Sequence, residues 1–254
     1  MSINIISELE LLYQELPEIG CEQCGQCCVS PTCTLAEFIY LFHFLQKNVA
    51  PEKIMQYLLI PAETHPDYEG NLRCVFLENG KCSVHPGRTG ACRLFGIPSL
   101  KKLNLTNMED CKNKVAIIKG NGNVTFIQSW LDRLYALEKK LYRSWEEPYF
   151  IKGFNIQCWL DIYFDASLDF DVFIEIKNSM NQYIDLTPYK NSYKLKTGLK
   201  EKIDKISILA SLLDTGDREI INKVLLSLRN DYPLTGMYFY DESEAFLKVL
   251  GKND

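Results

Sequence analysis

Histidine is scarce: the 254-residue chain has three, His43, His65 and His85. Acid–base chemistry built on imidazole is therefore thinly supplied. Basic charge is also short. Lys and Arg together number 28 against 33 Asp and Glu, the net charge is −5, and no basic stripe runs along the chain. A nucleic-acid partner is not expected. No apolar run approaches the roughly 18 residues of a membrane span, so no membrane association is expected. The N-terminal MSINIISELELLYQELPEIG has no basic start, no continuous apolar stretch and no small-residue cleavage site. It reads as a short amphipathic helix and not as a secretion signal, which predicts a cytoplasmic protein with reduced thiols. Dinucleotide-binding, Walker, nucleophile-elbow and H-E-x-x-H motifs are all missing.

Cysteine is what the chain has in excess. Ten are present: Cys21, Cys24, Cys27, Cys28, Cys33, Cys74, Cys82, Cys92, Cys111 and Cys158. All but the last fall in the first 111 residues, and CEQCGQCC puts four into eight positions. A chain of this length can build a hydrophobic core without disulfides. In a reducing compartment a cluster of this kind points to metal before it points to disulfides.

Two C-x-x-C steps in series, Cys21–Cys24–Cys27, bring successive sulfurs toward one centre, and Gly25 stands where a tight loop needs positive φ. This spacing matches the first three ligands of a bacterial ferredoxin run. It would equally serve tetrahedral zinc. Adjacent side chains of an extended backbone point apart, so Cys27 and Cys28 are expected to serve different centres or to wrap a multinuclear cluster. The ferredoxin run is incomplete, because Cys33 is followed by Thr34 rather than proline. A second block, RCVFLENGKCSVHPGRTGACRLFGIP and then MEDC, adds Cys74, Cys82, Cys92 and Cys111. Four plus four thiols fill two four-coordinate sites, or one cluster and one zinc. Cys33 is then a spare, a replacement ligand or a structural residue. Arg93 and Arg73, each beside a cysteine, are candidates to offset the negative charge of a cysteinate site. His85 is a candidate mixed ligand, although a loop histidine is more often a surface residue.

The pattern C-x-x-C-G-x-C-C, then C-x-F-L-x-x-G-x-C-x-[IV], then C-R resembles the YkgJ-like cysteine-cluster proteins, a family described as a zinc- or iron-chelating domain. The residues that carry the resemblance are Cys21, Cys24, Gly25, Cys27 and Cys28, then Cys74, Phe76, Leu77, Gly80, Cys82, Cys92 and Arg93, with Cys111 at the family's last cysteine. The resemblance covers about residues 20 to 115. The chain departs from it in CSVHPGRTG, where His85 replaces a tyrosine and Thr89 a proline. The resemblance implies metal binding through Cys21, Cys24, Cys27, Cys28, Cys74, Cys82, Cys92 and Cys111. An iron–sulfur cluster would support redox or protein-modification chemistry with an unknown redox or protein partner. Some flagellin lysine methylases carry a related, differently spaced cysteine cluster. Zinc would make the protein a scaffold or interaction module.

The rest of the chain predicts an α+β, mostly helical protein. A loop-rich, metal-stapled cysteine-cluster domain (1–147) would be followed by a helical C-terminal domain (148–254). Thr34 and Glu37 form a capping box before a helix whose Leu35, Phe38, Ile39, Leu41, Phe42 and Leu45 make a broad buried face. Pro51 starts another helix. The stretch from Pro61 to Met108 reads as loop. VAIIKGNGNVTFIQ (115–128) reads as a β-hairpin turning at Asn121-Gly122, with Ser129 capping a helix to about Trp145. Later helices are expected at about 196–213, 218–228 and after Asp241. Asp161, Asp165, Asp169 and Asp171 read as a solvated face rather than a carboxylate site.

Overall fold

The computed structural model describes residues 4–25, 28, 32–59, 64–65, 68–97, 117–141, 154–164 and 171–190. The described part is mostly helical, with α1 (Ile5–Glu15), α2 (Leu35–Asn48), α3 (Pro51–Leu59), α4 (Gly90–Leu94), α5 (Val124–Glu138), α6 (Ile156–Phe164) and α7 (Asp171–Asn181). None of the described helices is long and apolar enough to cross a membrane. The helices expected at 196–213, 218–228 and after Asp241 lie outside the described residues.

The helix after Thr34 is the axis of the fold. Its predicted apolar residues are buried, and so are Ala36 and Glu37. A helix apolar on nearly all sides must be surrounded, and α1, α3, α5 and α6 all pack on α2. Two indoles anchor this packing through their N–H groups. Trp130 of α5 donates to the Leu12 carbonyl at 2.8 Å, and Trp159 of α6 donates to the Cys33 carbonyl at 2.8 Å. Burying an aromatic of this size without a partner for its N–H would offset part of the gain.

The N-terminus of α2 carries two buried carboxylates. Glu138, fully buried at the end of α5, accepts from the Leu35 and Ala36 amides at 2.6 and 2.8 Å. Glu37 closes the predicted capping box, accepting from the Thr34 amide at 2.9 Å. Glu37 also accepts from the Tyr13 hydroxyl at 3.0 Å and from the Gly90 amide at 2.6 Å. First-turn amides of a helix have no partner within it. Here buried carboxyl oxygens meet them.

Among the described residues, four two-stranded antiparallel ribbons brace the helices. They pair β1 (Glu18–Ile19) with β7 (Ile117–Lys119), β2 (Thr32–Cys33) with β8 (Phe154–Asn155), β3 (Thr64–His65) with β4 (Tyr68–Leu72), and β5 (Leu77–Glu78) with β6 (Lys81–Cys82). The segment read as loop from Pro61 onward thus contains two hairpins and α4. The hairpin expected over 115–128 does not form. Ile117–Lys119 pairs with β1, and the chain turns into α5 at Asn123, whose side chain accepts from the Phe126 amide at 2.8 Å. The reason is the longer period: Ile127, Trp130, Leu131, Leu134 and Leu137 form one buried helical stripe, which outweighs the β-propensity of Val124, Thr125 and Ile127. The cap is therefore Asn123 and not Ser129, and the helix ends at Glu138. Past Pro148, the stretch that alternates aromatics and acids forms α6 and α7, with Trp159, Leu160, Phe164, Ile176 and Met180 buried. The side chains of Asp161, Asp165, Asp169 and Asp171 lie outside the described residues.

Burial pushes the Glu37 carboxyl above its ordinary value of 4.5, against the opposing pull of its hydrogen bonds. Such a group contributes stability that is complete below the ordinary value and is lost as pH rises through the folded one. Glu37→Gln has no such titration. The urea-unfolding stability of wild type minus that of Glu37→Gln should fall as pH rises above 4.5. A difference that stays constant with pH would contradict this.

Candidate metal centre

Three separate chain segments bring cysteines together. The first is the loop after β1, which carries Cys21, Cys24 and Cys28. Gly25 takes φ +76°, and the Cys28 amide closes a turn onto the Gly25 carbonyl at 3.0 Å. A Cβ on Gly25 would meet Leu77 Cδ1 at 2.7 Å and the Gly80 carbonyl oxygen at 2.9 Å. The loop therefore lies directly on the second segment, and the positive φ expected at Gly25 has a packing reason as well.

The second segment is the β5–β6 hairpin with the residues before it. The Cys74 amide donates to the Cys28 carbonyl at 2.7 Å, which ties the two cysteine blocks by their backbones. Cys82 pairs with Leu77 across the hairpin. Asn79 and Gly80 form its turn at φ +50° and +75°. This is the two-residue Asn-Gly hairpin signal, and it is present in LENGKC. The third segment runs from a 3-10 turn (His85–Gly87) into α4, which carries Cys92. Gly90, the first residue of α4, sits so close to Glu37 and Trp130 that a Cβ would meet them at 2.7 and 2.9 Å.

Cys21, Cys24, Cys28, Cys74, Cys82 and Cys92 all line one cavity of about 60 Å³. Apolar side chains, among them Leu41, Phe76, Val84 and Phe95, fill much of the remaining wall. Cys24 is exposed and the other five are half-buried. Among the described residues no three His, Cys, Asp or Glu side chains are arranged as ligands of a single ion. The six thiols surround a common space without closing on one point in it. Cys27 and Cys111 lie outside the described residues. Cys33 is apart from the cavity. It is 2% exposed in the core, and burial pushes its thiol well above the ordinary value, followed by the charges of Glu37, Glu138 and Cys92. Its side chain packs in the helical core. Chemically, the donor set suits a thiophilic metal: the sulfurs are numerous and the surrounding wall is apolar.

His85 also lines the cavity, but its ring is already engaged. The Arg88 guanidinium contacts His85 Nε2. Arginine has no acceptor, so a hydrogen bond between them would use Nε2 as the acceptor. Burial, and then the charges of Arg88 and Arg93, lower the His85 pKa to about 4. Both effects favour the neutral imidazole, and Nε2 faces the Arg88 guanidinium. Arg93 does not turn to sulfur in its assigned contacts. It donates from Nε to the Arg88 carbonyl at 2.8 Å and from Nη2 to the Pro86 carbonyl at 2.6 Å, and it stacks over the Tyr13 ring at 4.3 Å. The arginine on the cavity wall is Arg88. Sequence reasoning passed over it because it stands four residues from the nearest cysteine. Its place between Cys82 and Cys92 was an available signal.

Residues 20–112 match the CxxCxxCC family, whose description reads "Putative zinc- or iron-chelating domain". The match spans the six cavity cysteines together with Cys27, Cys33 and Cys111. No curated protein and no solved structure matches the chain.

Gly25 and Gly80 share a positive φ, but a Cβ on Gly80 would meet nothing within 4 Å. Gly25→Ala should therefore lose about 1–3 kcal/mol in urea unfolding, clearly more than Gly80→Ala. Equal losses would mean that the Gly25 loop is not seated on the hairpin.

Proposed function

We propose that the cavity holds a metal centre bound by thiolates from Cys21, Cys24, Cys27, Cys28, Cys74, Cys82, Cys92 and Cys111, and that this centre is an iron–sulfur cluster. The observation that carries the reading is the convergence of six cysteines, from three separate segments, on one cavity. Buried free thiols packed as small hydrophobes would have no reason to gather around a gap. The C-x-x-C-x-x-C run favours iron–sulfur, and the engaged Nε2 of His85 leaves sulfur as the dominant donor.

Such a cluster supplies one-electron redox chemistry, at a potential set by its charge, its exposure and the hydrogen bonds to its sulfurs. The protein's part is to hold the thiolates, keep most of the wall apolar and leave Cys24 at the exposed rim. In this reading residues 1–147 form the metal-binding domain of a cytoplasmic protein, and the helical region 148–254 offers a surface to a redox or protein partner. In this reading the centre serves electron transfer or protein modification. Zinc is the second reading, because the matched domain is described for zinc as well as iron. Closed four-sulfur zinc sites would make the chain a scaffold whose folding depends on metal.

Single Cys→Ser changes test the ligand set. Cys21→Ser, Cys28→Ser, Cys74→Ser, Cys82→Ser and Cys92→Ser should each weaken metal binding by more than the roughly 10- to 100-fold of an outer-shell change. Cys33→Ala should keep wild-type metal content in elemental analysis. Full metal in the cavity variants, or its loss in Cys33→Ala, would overturn the assignment.

A further inference from the structure

Arg88 stands in an unusual position for an arginine. Its side chain lines the cysteine cavity. Its Nε is buried and finds no hydrogen-bond acceptor, while its guanidinium meets His85 Nε2. A buried N–H left without an acceptor is rare in folded proteins. The backbone that bears it is held in place. The Arg88 carbonyl is held by Arg93 Nε at 2.8 Å, the Pro86 carbonyl by Arg93 Nη2 at 2.6 Å, and Arg93 is itself braced on Tyr13 at 4.3 Å. The next residue already gives its proton to sulfur. Thr89, buried, donates from Oγ1 to Cys92 Sγ at 3.8 Å, the long reach of a sulfur acceptor.

We propose that Arg88 is a sulfur-directed donor of the metal centre, giving its Nε–H to a cysteinate and, with Thr89, forming the wall that holds the negative charge of the thiolates. The inference rests on the metal reading above. Cysteinates around a metal carry net negative charge, and a guanidinium beside them offsets it. Arginine suits the task because it stays charged and fixes its donors in a plane. Six of the cavity's side chains are cysteines, and Thr89 is already committed to one of them. Glu22, also on the lining, is the competing acceptor.

A cysteinate that accepts an N–H bond is a weaker nucleophile than one that does not. The test is the rate at which a thiol-modifying reagent, iodoacetamide with a chelator present, releases metal from the purified full chain. Metal per chain is measured first in each protein. Arg88→Gln should release metal about 10- to 100-fold faster, as expected for loss of an outer-shell partner. Arg88→Lys, which keeps the charge and loses the Nε–H, should fall between that variant and wild type. Glu22→Gln should release at the wild-type rate. A wild-type rate in metal-loaded Arg88→Gln, or acceleration in Glu22→Gln equal to that in Arg88→Gln, overturns the inference and leaves the metal reading standing. If Arg88→Gln does not fold, a wild-type rate in Arg88→Lys overturns it alone. A wild-type chain that binds neither iron nor zinc overturns both.

Discussion

Glu37 accepts hydrogen bonds from three parts of the chain at once: the Tyr13 hydroxyl of α1, the Thr34 amide at the start of α2 and the Gly90 amide at the start of α4. The rest of the described structure is arranged around this buried carboxylate and its neighbour Glu138. Glu138 takes the next two amides of α2, so the centre of the fold is a helix N-terminus whose amides are met by buried carboxyl oxygens. Removing either acceptor would strand buried donors, at about 1–3 kcal/mol for each. The consequence reaches the cysteines. Gly90 opens the helix that carries Cys92, and its amide is fixed by Glu37, so the polar centre of the helical core sets the position of one cavity wall.

A second chain of contacts runs along the other side of that wall. Tyr13 is hydrogen-bonded to Glu37 and lies under the Arg93 guanidinium. Arg93 holds the carbonyls of Pro86 and Arg88, which shapes the turn bearing His85 and Arg88. The first cysteine loop is held differently, by the Cys74–Cys28 backbone bond and by the close seat of Gly25 on the hairpin. Two nearly independent devices therefore place the two halves of the cavity. One is rooted in the core and the other in backbone pairing between cysteine loops. A metal bound by both halves would join them directly, so that its binding free energy would become folding free energy.

What the sequence made legible follows the range of the interaction. The capping box at Thr34 and Glu37 is a three-residue pattern, and it stands as read. The same carboxylate's bonds to Tyr13 and Gly90 are contacts of distant residues, invisible to any local pattern. The start of α3 at Pro51 and the amphipathic helix α1 were likewise local and legible. The 115–128 segment misled because Val124-Thr-Phe-Ile has strand-like composition. Its helical period becomes visible only when the window extends to Leu137. Cysteine spacing singled out eight thiols, six of which line the cavity while Cys27 and Cys111 lie outside the described residues. Arg88 did not announce itself, because what marks it is a buried Nε and a place on the cavity wall, both products of tertiary packing.

The most direct measurement is the content of iron, zinc and acid-labile sulfide per chain after anaerobic purification, with a visible absorption spectrum of the same sample. The account predicts iron with a matching amount of sulfide and a broad absorption band in the visible. Zinc without sulfide or colour would keep the thiolate centre and replace the cluster by a structural ion. A folded chain that carries neither metal would contradict the central claim that these cysteines surround a metal site.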